Sequence, residues 1–71
     1  MKLNYDKETD SLYIHLSESL AIDSDEVKEG VVLDYAEDGG LVGIDIQHAS
    51  HTTDIAQLVV NHLPVSHFNA A

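Results

Sequence analysis

The residues of this chain that could do chemistry are its five histidines, its carboxylates and a handful of hydroxyls. His48 and His51 stand three residues apart, and Asp54 follows three further on. On one face of a helix that spacing would offer two imidazoles and a carboxylate, a donor set that suits zinc. The same spacing also fits exposed histidines in a loop. His62 falls among apolar residues at helical spacing. It reads as a half-buried histidine bonded to a carbonyl or to a dimer mate, with a pH-sensitive interface as the functional alternative. His15 and Ser17 share one face of an alternating segment, but no carboxylate is placed to orient the imidazole. A nucleophile elbow and an oxyanion loop are missing too. Asp34 and Asp45 both oppose the main apolar set on segments expected to pair. They read as solvated acids, or partners of Lys2 or Lys28, in preference to an acid–base couple. Gly39, Gly40 and Gly43 lack the spacing and the following Lys-Ser/Thr of a phosphate loop. The chain has no cysteine, so disulfides, thiolate metal sites and cysteine nucleophiles are excluded. The expectation is a protein with no catalytic residue and no cofactor, and His48, His51 and Asp54 are the alternative site for a metal or small ligand.

The elements that must position these residues follow from periodicity. Met1, Leu3 and Tyr5 share one parity, and a polar stretch, Asp6 to Asp10, reads as a hairpin loop because Asp side chains bond backbone amides two residues on. Leu12, Ile14 and Leu16 then alternate with Tyr13, His15 and Ser17, the period of a strand. A third strand is expected from Val27 to Tyr35, with Gly30 as a bulge or a close backbone approach that would swap its faces. Glu37-Asp38-Gly39-Gly40 is a turn signal, and Val42, Ile44 and Ile46 form the apolar side of a fourth strand paired with the third.

After that the period changes. Thr52 or Thr53 offers an N-cap, Asp54 suits the positive end of a helix dipole, and Pro64 stops the run, so one helix is expected over residues 53–63. At about 100° per residue, Ile55, Ala56, Leu58, Val59, Val60, His62 and Leu63 cover an arc of roughly 200°. One sheet needs a stripe only somewhat wider than about 100°. The surplus flank, with Ala56, Val60, Leu63 and His62, is therefore the expected subunit interface of a homodimer. The fold expected is α+β: a four-stranded antiparallel meander with one C-terminal helix packed on one face, a single domain over residues 1–63 and a loosely ordered tail over 64–71. The expected core is Leu3, Tyr5, Leu12, Ile14, Leu16, Val31, Leu33, Val42, Ile44, Ile46, Ile55, Leu58 and Val59.

Charge narrows the partners. Thirteen acids against three lysines give a formal net charge of -10 at pH 7. Residues 1–45 carry -9 of it, and residues 46–71 carry the -1 of Asp54 together with four of the five histidines. Such a chain cannot neutralise phosphates, so nucleic acid and anionic membranes are not expected partners. A basic protein is, because opposite charge steers association. The start, Met1 to Asp6, turns polar at once, and no apolar run approaches the roughly 20 residues that span a bilayer. A cytoplasmic location is expected. At 71 residues a core is marginal without disulfides, metal or self-association.

Two blocks also resemble a known group. Tyr5-Asp6-Lys7-Glu8-Thr9-Asp10-Ser11-Leu12-Tyr13-Ile14 is similar to the opening of short bacterial proteins grouped as the domain of unknown function 2283 family. Val27 to Tyr35, then Asp38-Gly39-Gly40-Leu41-Val42-Gly43-Ile44-Asp45-Ile46 and on to Ala49-Ser50, extends the likeness over about residues 1–50. The resemblance implies a small antiparallel sheet with a helix, and it implies no activity and no catalytic residue. It also implies that some members are the acidic, toxin-neutralising half of two-gene pairs. The function expected is a non-catalytic, self-associating interaction module with an acidic surface.

Overall fold

The computed structural model describes residues 1–62 and 64. Five strands form one antiparallel sheet: β1 Lys2–Asp6, β2 Ser11–His15, β3 Asp23–Lys28, β4 Val31–Tyr35 and β5 Leu41–Ile46. Their spatial order is β1-β2-β5-β4-β3. A short helix, α1 Ala49–Thr52, follows β5.

The expected strand from Val27 to Tyr35 is two strands. The chain reverses at Glu29-Gly30, where Gly30 takes a φ of 80° that a side chain would resist. Its N–H donates to the Glu26 carboxylate at 3.2 Å, and its carbonyl accepts from the Gln47 N–H at 2.7 Å. A register shift between Glu26 and Lys28 places a bulge at Val27. Gly30 is therefore a turn residue, and the bulge lies three positions before it.

The order of strands also differs from a meander. β5 sits between β2 and β4, which sets Leu12 and Ile14 opposite Ile46 and Ile44, and Val31 and Leu33 opposite the same two isoleucines. Pairing of apolar β-branched and aliphatic residues across strands is the unit of sheet stabilisation. It places the most apolar strands in the middle and the acidic β3 at an edge. The connection from β2 to β3 must then cross the ends of β5 and β4. It does so on hydrogen bonds: Leu16 and Ser17 donate to the Val42 carbonyl at 2.7 and 3.2 Å, and Ile22 donates to that of Tyr35 at 2.8 Å.

One side of the sheet carries Leu3, Tyr5, Leu12, Ile14, Val31, Leu33, Ile44 and Ile46, as the alternation predicts. No second layer covers it among the described residues. Of the described hydrophobic residues, only Val42 and Ala49 are buried. Leu12, Ile14, Leu16, Val31, Leu33, Ile44 and Ile46 are half-buried, and Leu3 and Tyr5 are exposed.

The reason is the missing helix. Residues 53–62 are irregular: Thr53 is extended at φ −134° and ψ 162°, and the helix lies earlier, at Ala49–Thr52. An isolated helix shorter than about 12 residues is marginal in water, and Ile55, Val59 and Val60 add β-branched side chains that are weak helix formers. Ile55 is half-buried, while Leu58, Val59 and Val60 are exposed. Leu63 and residues 65–71 of the expected tail lie outside the described residues. No described helix is long and apolar enough to cross a membrane.

Gly30→Ala tests the turn. An added Cβ would meet Gln47 only at ordinary distances of 3.6 and 3.7 Å, so the cost is backbone strain alone. Urea unfolding should show a loss of about 1–2 kcal/mol, and Gly30→Asn a smaller one. An unchanged midpoint for both would show that the turn does not need a left-handed residue.

Candidate functional site

Two polar clusters join the elements, one on each side of the sheet. The first lies on the side that carries Lys2, Tyr13, Asp34, Asp45 and Glu26. Alternation puts Tyr13 of β2 there, beside Gly43 of β5, which pairs with Asp34 of β4. Gly43 has no side chain, so the phenol lies over it: a Cβ on Gly43 would overlap the Tyr13 hydroxyl and approach ring atom Cε2 to 2.9 Å. The Tyr13 hydroxyl donates to Asp34 Oδ2 at 2.8 Å, and the Ser24 hydroxyl of β3 donates to Oδ1 at 2.9 Å. One belt of side chains thus crosses four strands. The His15 ring meets that of Tyr13 edge-on, with centroids 6.0 Å apart.

Burial against the sheet raises the Tyr13 pKa above the usual phenol value, and the hydrogen bond to Asp34 and the charges of Asp34 and Asp45 add to it. A phenol held in its neutral form is a poor base and a poor nucleophile. Both Asp34 oxygens already accept a hydroxyl. The belt's polar groups satisfy one another, which makes it a clamp.

The second cluster centres on Asp10, the last residue of the β1–β2 turn, at a φ of 55°. Its carboxylate accepts the Tyr5 hydroxyl at 2.7 Å on Oδ1 and the Ser50 hydroxyl at 2.7 Å on Oδ2. The Ser50 N–H adds bonds of 3.1 and 3.4 Å, and the Ala49 N–H donates to the Asp10 carbonyl at 2.9 Å. Asp10 therefore holds the start of α1, whose preceding residue His48 makes no side-chain cap of its own. The hydrogen bond from Tyr5, then that from Ser50, hold the Asp10 carboxyl below the usual range, and the nearby His51 contributes. The same bond raises the Tyr5 phenol.

The residues singled out from sequence distribute differently. His48 and His51 flank the first turn of α1, and Asp54 follows the extended Thr53. Among the described residues, no group of three or more His, Asp or Glu side chains is disposed to hold a metal. Asp34 takes the hydroxyls of Tyr13 and Ser24, not Lys2 or Lys28. Ala56, Val60 and His62 are exposed on irregular chain, so the arc argument for a helical interface loses its helix. Leu63 lies outside the described residues. Sequence reasoning missed Tyr13, Ser24, Asp10 and Ser50. The readable signal was Gly43, since a glycine inside a strand often marks a close approach by something large.

A family model described as protein of unknown function (DUF2283) matches residues 2–50. No curated protein and no solved structure matches the chain. The matched span includes all five strands and ends on Ser50, the residue that Asp10 grips.

Gly43→Ala should displace the Tyr13 ring and cost about 1–3 kcal/mol, the usual range for overpacking. Combined with Tyr13→Ala the loss should be less than additive in chemical unfolding. Additive losses would separate the two residues.

The clamps also fix the limits in pH. Asp10 is depressed, so its contribution is present above the unfolded value and is lost as pH falls below 3.8 and through the folded value. Tyr5 and Tyr13 are raised, so theirs is complete below 10.0 and is lost above it. Melting curves should show both declines, and Asp10→Asn should flatten the acid one while lowering Tm by about 4–8 °C at neutral pH. An Asp10→Asn protein with the wild-type acid profile would contradict the assignment.

Proposed function

Since the chain belongs to the family of proteins of unknown function DUF2283, which brings no reaction with it, we propose a non-catalytic role: a self-associating interaction module of the bacterial cytoplasm. It closes the apolar side of its sheet on a second copy and offers acidic surface to a basic protein partner. The observation that carries this reading is the apolar side of a five-stranded sheet, which no second layer covers among the described residues. Large apolar patches of this kind mark interaction sites in soluble proteins.

The acids support the second half. Asp6, Glu8, Asp23, Asp25, Glu26, Glu29, Glu37 and Asp38 are exposed, and a net charge of -10 keeps phosphate-bearing partners away while favouring cationic ones. The neutralising member of a two-gene pair is one setting that supplies such a partner.

Sedimentation at micromolar to millimolar concentration should give a homodimer. A monomer throughout would overturn the reading. Leu3→Asp places a charge on the apolar side of an edge strand and should raise the dimer Kd about tenfold or more. Asn4→Asp, one residue along on the opposite side, should leave it near the wild-type value. Co-expression with the product of an adjacent gene should return a complex that dissociates as salt rises; free protein alone would remove the pairing.

A further inference from the structure

Residues 54–62 pose a separate problem. Leu58, Val59 and Val60 are 58%, 63% and 43% exposed on a chain that has no regular structure there. Their spacing, with Ile55 and Ala56, is that of an apolar helix face. The segment is tethered at Thr53 to the end of α1, so its own sheet is within reach, yet Ile55 is only half-buried and Leu58, Val59 and Val60 stay exposed. Two apolar surfaces are therefore incompletely buried among the described residues: a sheet face with no second layer, and a segment patterned as that layer.

Building on the self-association argued above, we infer that residues 54–62 become helical on dimerisation and lie across the apolar sheet face of the second copy. Helix formation alone is too weak at this length, and a receiving surface supplies what is missing. The dimensions agree. Nine helical residues extend about 14 Å, and five strands at about 4.8 Å spacing present a face roughly 19 Å across. The wide arc also finds its reason, because a helix between two packed subunits meets apolar surface on more than one side. Leu58 and Val59 would face the partner's sheet, and Ala56 and Val60 would lie along the subunit seam. Two such exchanges related by a two-fold axis bury both faces at once, as a closed symmetric dimer requires. The ordering entropy of the segment would be met at association, which makes helicity a direct readout of dimer formation.

The chain has no native cysteine, so one spin label can be placed uniquely. Gln57→Cys, labelled and carrying no ¹⁵N, is mixed with ¹⁵N-labelled wild-type protein, so that any broadening is between copies. Circular dichroism at 222 nm is followed with concentration in parallel. The expected result is a helical signal that rises with the dimer fraction and loss of most of the amide intensity of Ile14, Leu33 and Ile44. Val60→Asp should reduce both the helical gain and the dimer fraction while leaving the sheet signal unchanged. A protein that stays monomeric removes the self-association reading and this inference together. A dimer with no gain in helix, or with no broadening of sheet amides, overturns the exchange and leaves the self-association reading standing.

Discussion

A single sheet has two faces, and a sequence that makes one of them apolar has not finished folding until something covers it. That constraint governs this protein. Alternation in β1, β2, β4 and β5 gathers Leu3, Leu12, Ile14, Leu33, Ile44 and Ile46 on one side, where Leu3 is exposed and the other five are only half-buried. Backbone pairing alone gives a sheet little net stability, because those amides exchange one set of partners for another. The apolar side must therefore be where the larger gain is made, and the fold is arranged to present it as one continuous surface.

Where packing is thin, two carboxylates take over the task of fixing geometry. Asp34 ties Tyr13 and Ser24 into a belt from β2 to β3. Asp10 joins Tyr5, the first hairpin and the start of α1. Each binds hydroxyls from two different elements, and each has both oxygens engaged. Hydrogen bonds to a charged acceptor are stronger than neutral ones, and they are directional in a way that apolar contact is not. They define register and end points while the apolar side remains available for association.

Much of the sheet could be read from the sequence. The period of two placed β1, β2, β4 and β5 and sorted their faces correctly, and the turn at Asp38 to Gly40 joined the right pair. Gly30 was read as a bulge or a close backbone approach inside one strand, because Val27, Val31, Leu33 and Tyr35 keep one parity across it. Parity cannot distinguish one strand from two joined by a tight reversal. The place of β5 beside β2 was not legible either, since strand order is settled by which apolar residues meet across space. The helix over residues 53–63 was inferred from a pattern that is present, but a pattern becomes a helix only where a surface receives it. Tyr13 and Asp10 escaped notice because their partners lie 21 and 40 positions away in sequence.

The charge at one margin of the sheet bears on how large an assembly can grow. β3 carries Asp23, Asp25 and Glu26 and is broken by a bulge at Val27. Polymerisation strand by strand into a ribbon needs two receptive margins on every molecule. A β3 strand approaching its own kind would set carboxylates against carboxylates on a kinked backbone, which is how natural sheets resist fibre formation. With that route closed, growth strand by strand stops at this margin, and the sheet keeps the five strands it has.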